Sequence, residues 1–281
     1  MPQTSVPVVD ELIELRGLRF HYRDWPSRQV GAPDLVLLHG YTGHARSWDA
    51  FAEAMTDRYR VLALDQRGHG ESAWAPADCY GIDDMADDLA AFVRAHGLNH
   101  FTLLGLSMGG MVAIEYAGRR PAELAAVVIV DIGPELVRSG SQRIADGVQK
   151  SDVFASRDAA FNAARADNPR PPEAHHRHRV DHSLMRTEDG GWTYRYDRAL
   201  RSVRGLRTRD ADTGWRSCAD IGVPTLLIRG DQSDILGADV AEKMIEVIPD
   251  ARFALVENSG HPVPLDAPDG FLAAARSFLT G

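Results

Sequence analysis

Residues Leu103 to Gly110 read Leu-Leu-Gly-Leu-Ser-Met-Gly-Gly, an apolar run that ends on a serine flanked by glycines. The run is typical of a buried strand, and the residues after it have helical spacing. The chain must therefore turn sharply from strand into helix, with Ser107 at the corner. Small residues at 105 and 109 let neighbouring backbone pass close to that corner, and the strained turn lifts the Ser107 hydroxyl clear of the fold. Few architectures accept such a turn, because it needs a strand covered on both faces and a helix packed directly against it.

The rest of the chain supplies that setting. Leu12 to Leu15 and Leu18 to Tyr22, broken at Gly17, alternate like an antiparallel hairpin at a sheet edge. From there apolar strands and amphipathic helices alternate. The predicted order is strand 35–38, helix 48–55, strand 61–64, helix 82–95, strand 101–104, the turn at Ser107, a helix to about 116, and strand 124–130. Strands that are apolar throughout are buried on both faces, and strand–helix–strand order implies right-handed crossovers. The expectation is an α/β fold with a mostly parallel, doubly wound eight-stranded sheet. Between Gly133 and Trp215 the alternation stops and the chain becomes polar, with arginine, histidine and Asn168-Pro-Arg-Pro-Pro. This reads as a helical insertion after the sixth strand. The division is thus a core of residues 1–133 and 216–281, and a lid of residues 134–215.

With 281 residues and 44% hydrophobic content, one such domain can bury a full core. The net charge of −9 disfavours nucleic acid and anionic membranes, both of which reward basic surfaces, so a small molecule is the expected partner. Cys79 and Cys218 are too few for a disulfide framework, and no leader-like or spanning segment is evident. A cytoplasmic monomer or homodimer is expected, with no cofactor and no metal.

In an open parallel sheet, ligands bind beyond the carboxyl ends of the strands. His39-Gly40-Tyr41, Ser107, Asp131, Gly230 to Asp234 and Gly260-His261 all fall there. A serine hydroxyl needs a base and a carboxylate that orients the base. His261, in a Gly-Pro framed loop, is the candidate base. The backbone N–H groups of Met108, which opens a helix, and of Tyr41, which follows a glycine, are the candidate oxyanion donors. Trp192 and Trp215, with Tyr41, are candidate substrate contacts, and Phe161, Tyr194 and Tyr196 add aromatic surface to the insertion. Arg143, Arg195 and Arg198 could hold a substrate carboxylate. His175, His176, His178 and His182 are read as solvated histidines rather than metal ligands.

Taken together, His39-Gly40, the run Asp65 to Ser72 (Asp-Gln-Arg-Gly-His-Gly-Glu-Ser), the turn at Ser107 and Gly260-His261 resemble the α/β-hydrolase superfamily over essentially the whole chain. The resemblance implies a serine hydrolase of a small ester, lactone or amide, acting through an acyl-enzyme, and it matches the polar insertion to the family's lid. It also leaves open a C–C bond hydrolase, a cofactor-free perhydrolase, and a small-molecule receptor of the same fold. Family members most often carry the triad acid three positions past a glycine, and here that position is Ser233. Asp131, after the preceding strand, is the favoured acid and Asp234 the alternative. Val130-Asp-Ile-Gly-Pro134 with Ser233 resembles the branch of 2-(acetamidomethylene)succinate hydrolases, which have the earlier acid.

Overall fold

A computed structural model describes residues 7–149, 152–201 and 210–280. Strands β1 (Val9–Leu15) and β2 (Leu18–Trp25) form the expected hairpin at the sheet edge. They are followed by β3 (Asp34–Leu38), a 3-10 turn (Ala45–Trp48), α1 (Asp49–Met55), β4 (Arg60–Leu64), α2 (Ile82–His96), β5 (Phe101–Leu106), α3 (Met108–Gly118) and β6 (Leu124–Val130). After the insertion come α7 (Ala211–Asp220), β10 (Thr225–Gly230), α8 (Ala238–Val247), β11 (Ala251–Val256), α9 (Val263–Asp266) and α10 (Pro268–Leu279). The eight strands pair in the order β1-β2-β4-β3-β5-β6-β10-β11. Only the β1–β2 and β2–β4 pairs are antiparallel.

Side-chain alternation on the strands explains the two helical layers. On β3, Val36 and Leu38 face one cluster with Met85, Leu89, Val112, Cys218 and Met244. Leu35 and Leu37 face the other, with Trp48, Phe51, Met55 and Phe271. Both faces of the sheet are covered, which is why the strands read as unbroken apolar runs.

The insertion carries α4 (Arg138–Gln149), α5 (Arg157–Asp167) and α6 (Glu173–His182), but it is not purely helical. Strands β7 (Val153–Phe154), β8 (Leu184–Arg186) and β9 (Trp192–Tyr194) make a small antiparallel sheet in the order β7-β9-β8. Three-residue strands with exposed arginine on them are too short to show a period of two in the sequence. Residues 150–151 and 202–209 of the expected lid lie outside the described residues. Helix α7, at the end of that expected segment, packs on α3: a side chain at Gly118 would press on the backbone of Ser217. Among the described residues no helix is long and apolar enough to cross a membrane.

Candidate active site

Because β3, β4, β5, β6, β10 and β11 run the same way, their carboxyl ends share one rim. Ser107 follows β5 with φ 53° and ψ −117°, a conformation that costs an L-residue free energy and persists only where the surroundings enforce it. Two glycines provide the room. A side chain at Gly109 would collide with the Leu38 carbonyl, and one at Gly40 would lie 3.2 Å from Cβ of Ser107. The turn after β3 therefore packs directly on the serine. Asp131, just past β6, also has positive φ, at 51°, so two neighbouring strands each end on a non-glycine residue with positive φ.

These ends meet the loop after β11. His261 Nε2 lies 2.8 Å from Ser107 Oγ. His261 Nδ1 lies 2.8 Å from Oδ2 of Asp131. The Asp131 side chain is fully buried while His261 keeps 12% exposure, so the chain of hydrogen bonds leads from the interior to the rim. Asp131 is held from its other side. The Gly230 N–H donates to Oδ1 at 3.0 Å and the Ser233 hydroxyl donates to Oδ2 at 2.5 Å. Ser233 Oγ in turn accepts from the N–H groups of Ile235 and Leu236, both at 3.2 Å. The hydroxyl at the family's usual acid position thus braces the carboxylate of the earlier strand. Asp234 points elsewhere: Arg143 donates to both its oxygens, at 2.7 and 2.9 Å.

The loop carrying Tyr41 is fixed by His39. Its Nδ1–H donates to the Gly40 carbonyl at 2.8 Å, and its Nε2 accepts from the Gln66 N–H at 3.0 Å. Burial lowers the pKa of His39, in keeping with a neutral ring that donates once and accepts once. Among the described residues no hydrogen bond occupies the N–H of Tyr41 or of Met108. The Met108 group is one of the first-turn donors that a helix leaves without an internal partner.

The insertion is stitched to this region through the 65–72 loop. Gly70 N–H donates to the Arg195 carbonyl at 3.1 Å, and Asp197 N–H donates to that of Gly68 at 2.7 Å. Buried Tyr196 stacks on His69 at 6.3 Å and meets Tyr41 at 5.9 Å. Of the substrate-contact candidates, Tyr41 follows Gly40, which packs on Ser107, and its ring meets those of His69 and Tyr196. Trp192 is held by Arg157 and Arg186 over its ring, and Trp215 by Glu135 at its N–H and Lys243 over its face. The histidines of α6 are dispersed. His178 meets Asp49 at 3.1 Å, His182 bonds the His178 carbonyl, and His176 is buried against Phe161.

Sequence reading missed one contributor. Ser233 was seen only as a missing acid, and its bracing role needs the β6–β10 pairing to be known.

Comparison with known proteins agrees with this architecture. The family model for the alpha/beta hydrolase fold matches residues 33–268. The chain belongs to that family, and it is an enzyme of the hydrolase class. It is 30% identical over 276 residues to an N-formylmaleamate deformylase of Pseudomonas putida, covering 95% of each protein. It is 28% identical over 259 residues to an esterase of Mycobacterium tuberculosis, covering 88% of this chain and 83% of the relative. The crystal structure of E-2-(acetamidomethylene)succinate hydrolase shares the fold with a TM-score of 0.88 at 24% identity, covering 98% of this chain and 100% of that one.

Proposed function

We propose that this protein is a serine hydrolase that cleaves a small-molecule ester, lactone or amide by acyl transfer, with Ser107 as nucleophile, His261 as base and Asp131 as orienting acid. The observation that carries the reading is the unbroken Asp131–His261–Ser107 chain, 2.8 Å at each link. With Nδ1–H given to Asp131, Nε2 is the nitrogen left to accept the Ser107 proton. The hydroxyl oxygen adds to the carbonyl as its proton moves to Nε2, and the oxyanion is received by the Tyr41 and Met108 N–H groups. The imidazolium then returns that proton to the leaving alkoxide or amine. Water, deprotonated by the same nitrogen, releases the acid and restores Ser107.

Relatives named for ester hydrolysis and for deformylation of N-formylmaleamate support esters or amides as the substrate class. Residues 134–215 are the lid in this reading. The test is covalent labelling by a fluorophosphonate together with turnover of a panel of short p-nitrophenyl esters, lactones and N-acyl amides. Labelling at Ser107 with turnover of at least one class is the expected result. Labelling without turnover of any would favour a receptor of this fold.

A further inference from the structure

In the turn that carries Tyr41, Gly40 meets two requirements that conflict. A side chain there would bring its Cβ to 3.2 Å from that of Ser107, so the position suits glycine. Glycine, however, leaves φ and ψ free, and the Tyr41 N–H swings with them. The peptides on either side of Gly40 must therefore be held by neighbouring groups if that N–H is to keep one direction.

Both peptides are held. The one joining Gly40 to Tyr41 carries the Gly40 carbonyl on one edge and the Tyr41 N–H on the other, and in a trans plane these point opposite ways. That carbonyl accepts from His39 Nδ1–H at 2.8 Å and from the Gly43 N–H at 2.9 Å. The peptide joining His39 to Gly40 is held by Gln66. Its side-chain Nε2 donates to the His39 carbonyl at 2.7 Å, and its backbone N–H donates to His39 Nε2 at 3.0 Å. Gln66 can reach because it follows β4 as His39 follows β3, and Leu38 and Leu64 are paired where those strands end. One residue thus grips His39 at its ring and at its main chain. Any residue but proline could supply the backbone half of that grip, whereas the other half needs a donor of glutamine's length.

Stability gives little reason for a glutamine here. The residue is buried, and its Oε1 has no hydrogen-bond partner among the described residues. An apolar side chain of the same length would remove that unpaired oxygen and leave the His39 carbonyl without its donor, so one unpaired acceptor would replace another. What changes is how firmly the turn is aimed. We propose that Gln66 is a positioning residue of the reaction: by holding the His39 carbonyl it fixes the peptide before Gly40, and so keeps the Tyr41 N–H directed at the oxyanion formed when Ser107 adds to the substrate. The assignment rests on the serine-hydrolase reading above.

The test compares wild type with Gln66→Met, which keeps the length of the side chain and removes both polar atoms, on the best ester or amide of the panel. Per Ser107 titrated with fluorophosphonate, kcat is expected to fall by about 10- to 100-fold with KM within about 3-fold, short of the roughly 10²- to 10³-fold loss of deleting an oxyanion donor outright. A trifluoromethyl ketone with the same acyl chain becomes an oxyanion when Ser107 adds to it, and its binding should weaken by the same factor as kcat/KM. The melting temperature should move by no more than about 3 °C. A kcat within about 3-fold of wild type, a loss carried by KM alone, or a ketone that binds both proteins equally would overturn the assignment. So would a variant that melts far below wild type or does not fold, because Gln66 would then be a pin of the fold rather than of the turn. A wild type that is neither labelled nor active would sink the hydrolase reading and this assignment with it, whereas an active wild type beside an unimpaired variant would sink this assignment alone.

Discussion

Two aspartate–histidine pairs look alike by distance and sit in different surroundings. At the rim, Asp131 and His261 are 2.8 Å apart; at the hairpin edge of the sheet, Asp65 and His21 are 2.7 Å apart. Each aspartate is further loaded by donors. Asp131 has Gly230 N–H and the Ser233 hydroxyl, while Asp65 has the N–H groups of Ala45 and Glu71 at 2.5 and 2.9 Å. The difference lies at the second ring nitrogen. His21 Nε2 meets another carboxylate, Asp10, at 3.0 Å, so the ring is clasped between two anions. His261 Nε2 meets a strained serine that faces the rim. A carboxylate orients either ring, but only a ring whose free nitrogen faces a hydroxyl can move a proton for chemistry.

The sharpest way to break this distinction is to remove the hydroxyl. Ser107→Ala should lower kcat by about 10⁴-fold or more, with thermal unfolding little changed, since in the proposed mechanism Ser107 contributes chemistry rather than packing. Steady-state rates on the best substrate of the ester and amide panel, beside a melting curve, would measure both. Retention of a tenth of the rate would mean that the rim pair is another clasp.

A slightly smaller effect is expected from Asp131→Asn. It keeps the shape but disturbs the tautomer that leaves Nε2 free, and about 10³- to 10⁴-fold in kcat should follow. Asp234→Asn, which loses only its partly exposed pair with Arg143, should stay within about 3-fold. If the two losses came out in the opposite order, the braced carboxylate would not be the functional one.

Much of this was legible in the sequence, for reasons that differ by residue. The doubly wound sheet follows from runs such as 35–38 and 124–130, whose apolar character does not depend on tertiary detail. Ser107 was legible because its strained turn demands glycines at fixed offsets. His261 was legible from its Gly-Pro frame after the last strand. Asp131 could be ranked above Asp234, and the contact that bears on the choice was hidden, because it joins a hydroxyl at 233 to a carboxylate 102 positions earlier in the chain. The small sheet of the insertion escaped because two- and three-residue strands carry no period.

The structural clasp gives the next prediction. Asp65→Asn leaves buried His21 beside an amide and weakens the hold on the Ala45 and Glu71 backbones, so stability should fall by about 3 kcal/mol, the range for breaking a buried pair from one side. Denaturant unfolding with an unchanged slope would report it. A loss of activity without a loss of stability would place Asp65 in the chemistry and erase the contrast between the two pairs.

The smallest expected effect is in the pH dependence of the same clasp. Burial opposes the charged form of His21, yet its hydrogen bonds to Asp65 and Asp10 and the charges of Asp65 and Glu71 win, and its pKa ends above the ordinary 6.5. Its contribution to stability is therefore fully present below 6.5 and is lost as pH rises through the raised value. Burial likewise opposes the Asp65 anion, but His21, His39 and the Glu71 N–H hold its pKa down to about 2, below the ordinary 3.8. That contribution is present above 3.8 and is lost as pH falls towards 2. The clasp should be strongest between about pH 4 and 6.5, and the stability gap between wild type and His21→Gln should narrow on either side of that window. Equilibrium unfolding at pH 3, 5 and 9 would measure it. A gap that stays flat across the three would mean that His21 holds Asp65 as a neutral hydrogen-bond donor. The two pairs would then differ only in what their second nitrogens meet, and not in charge.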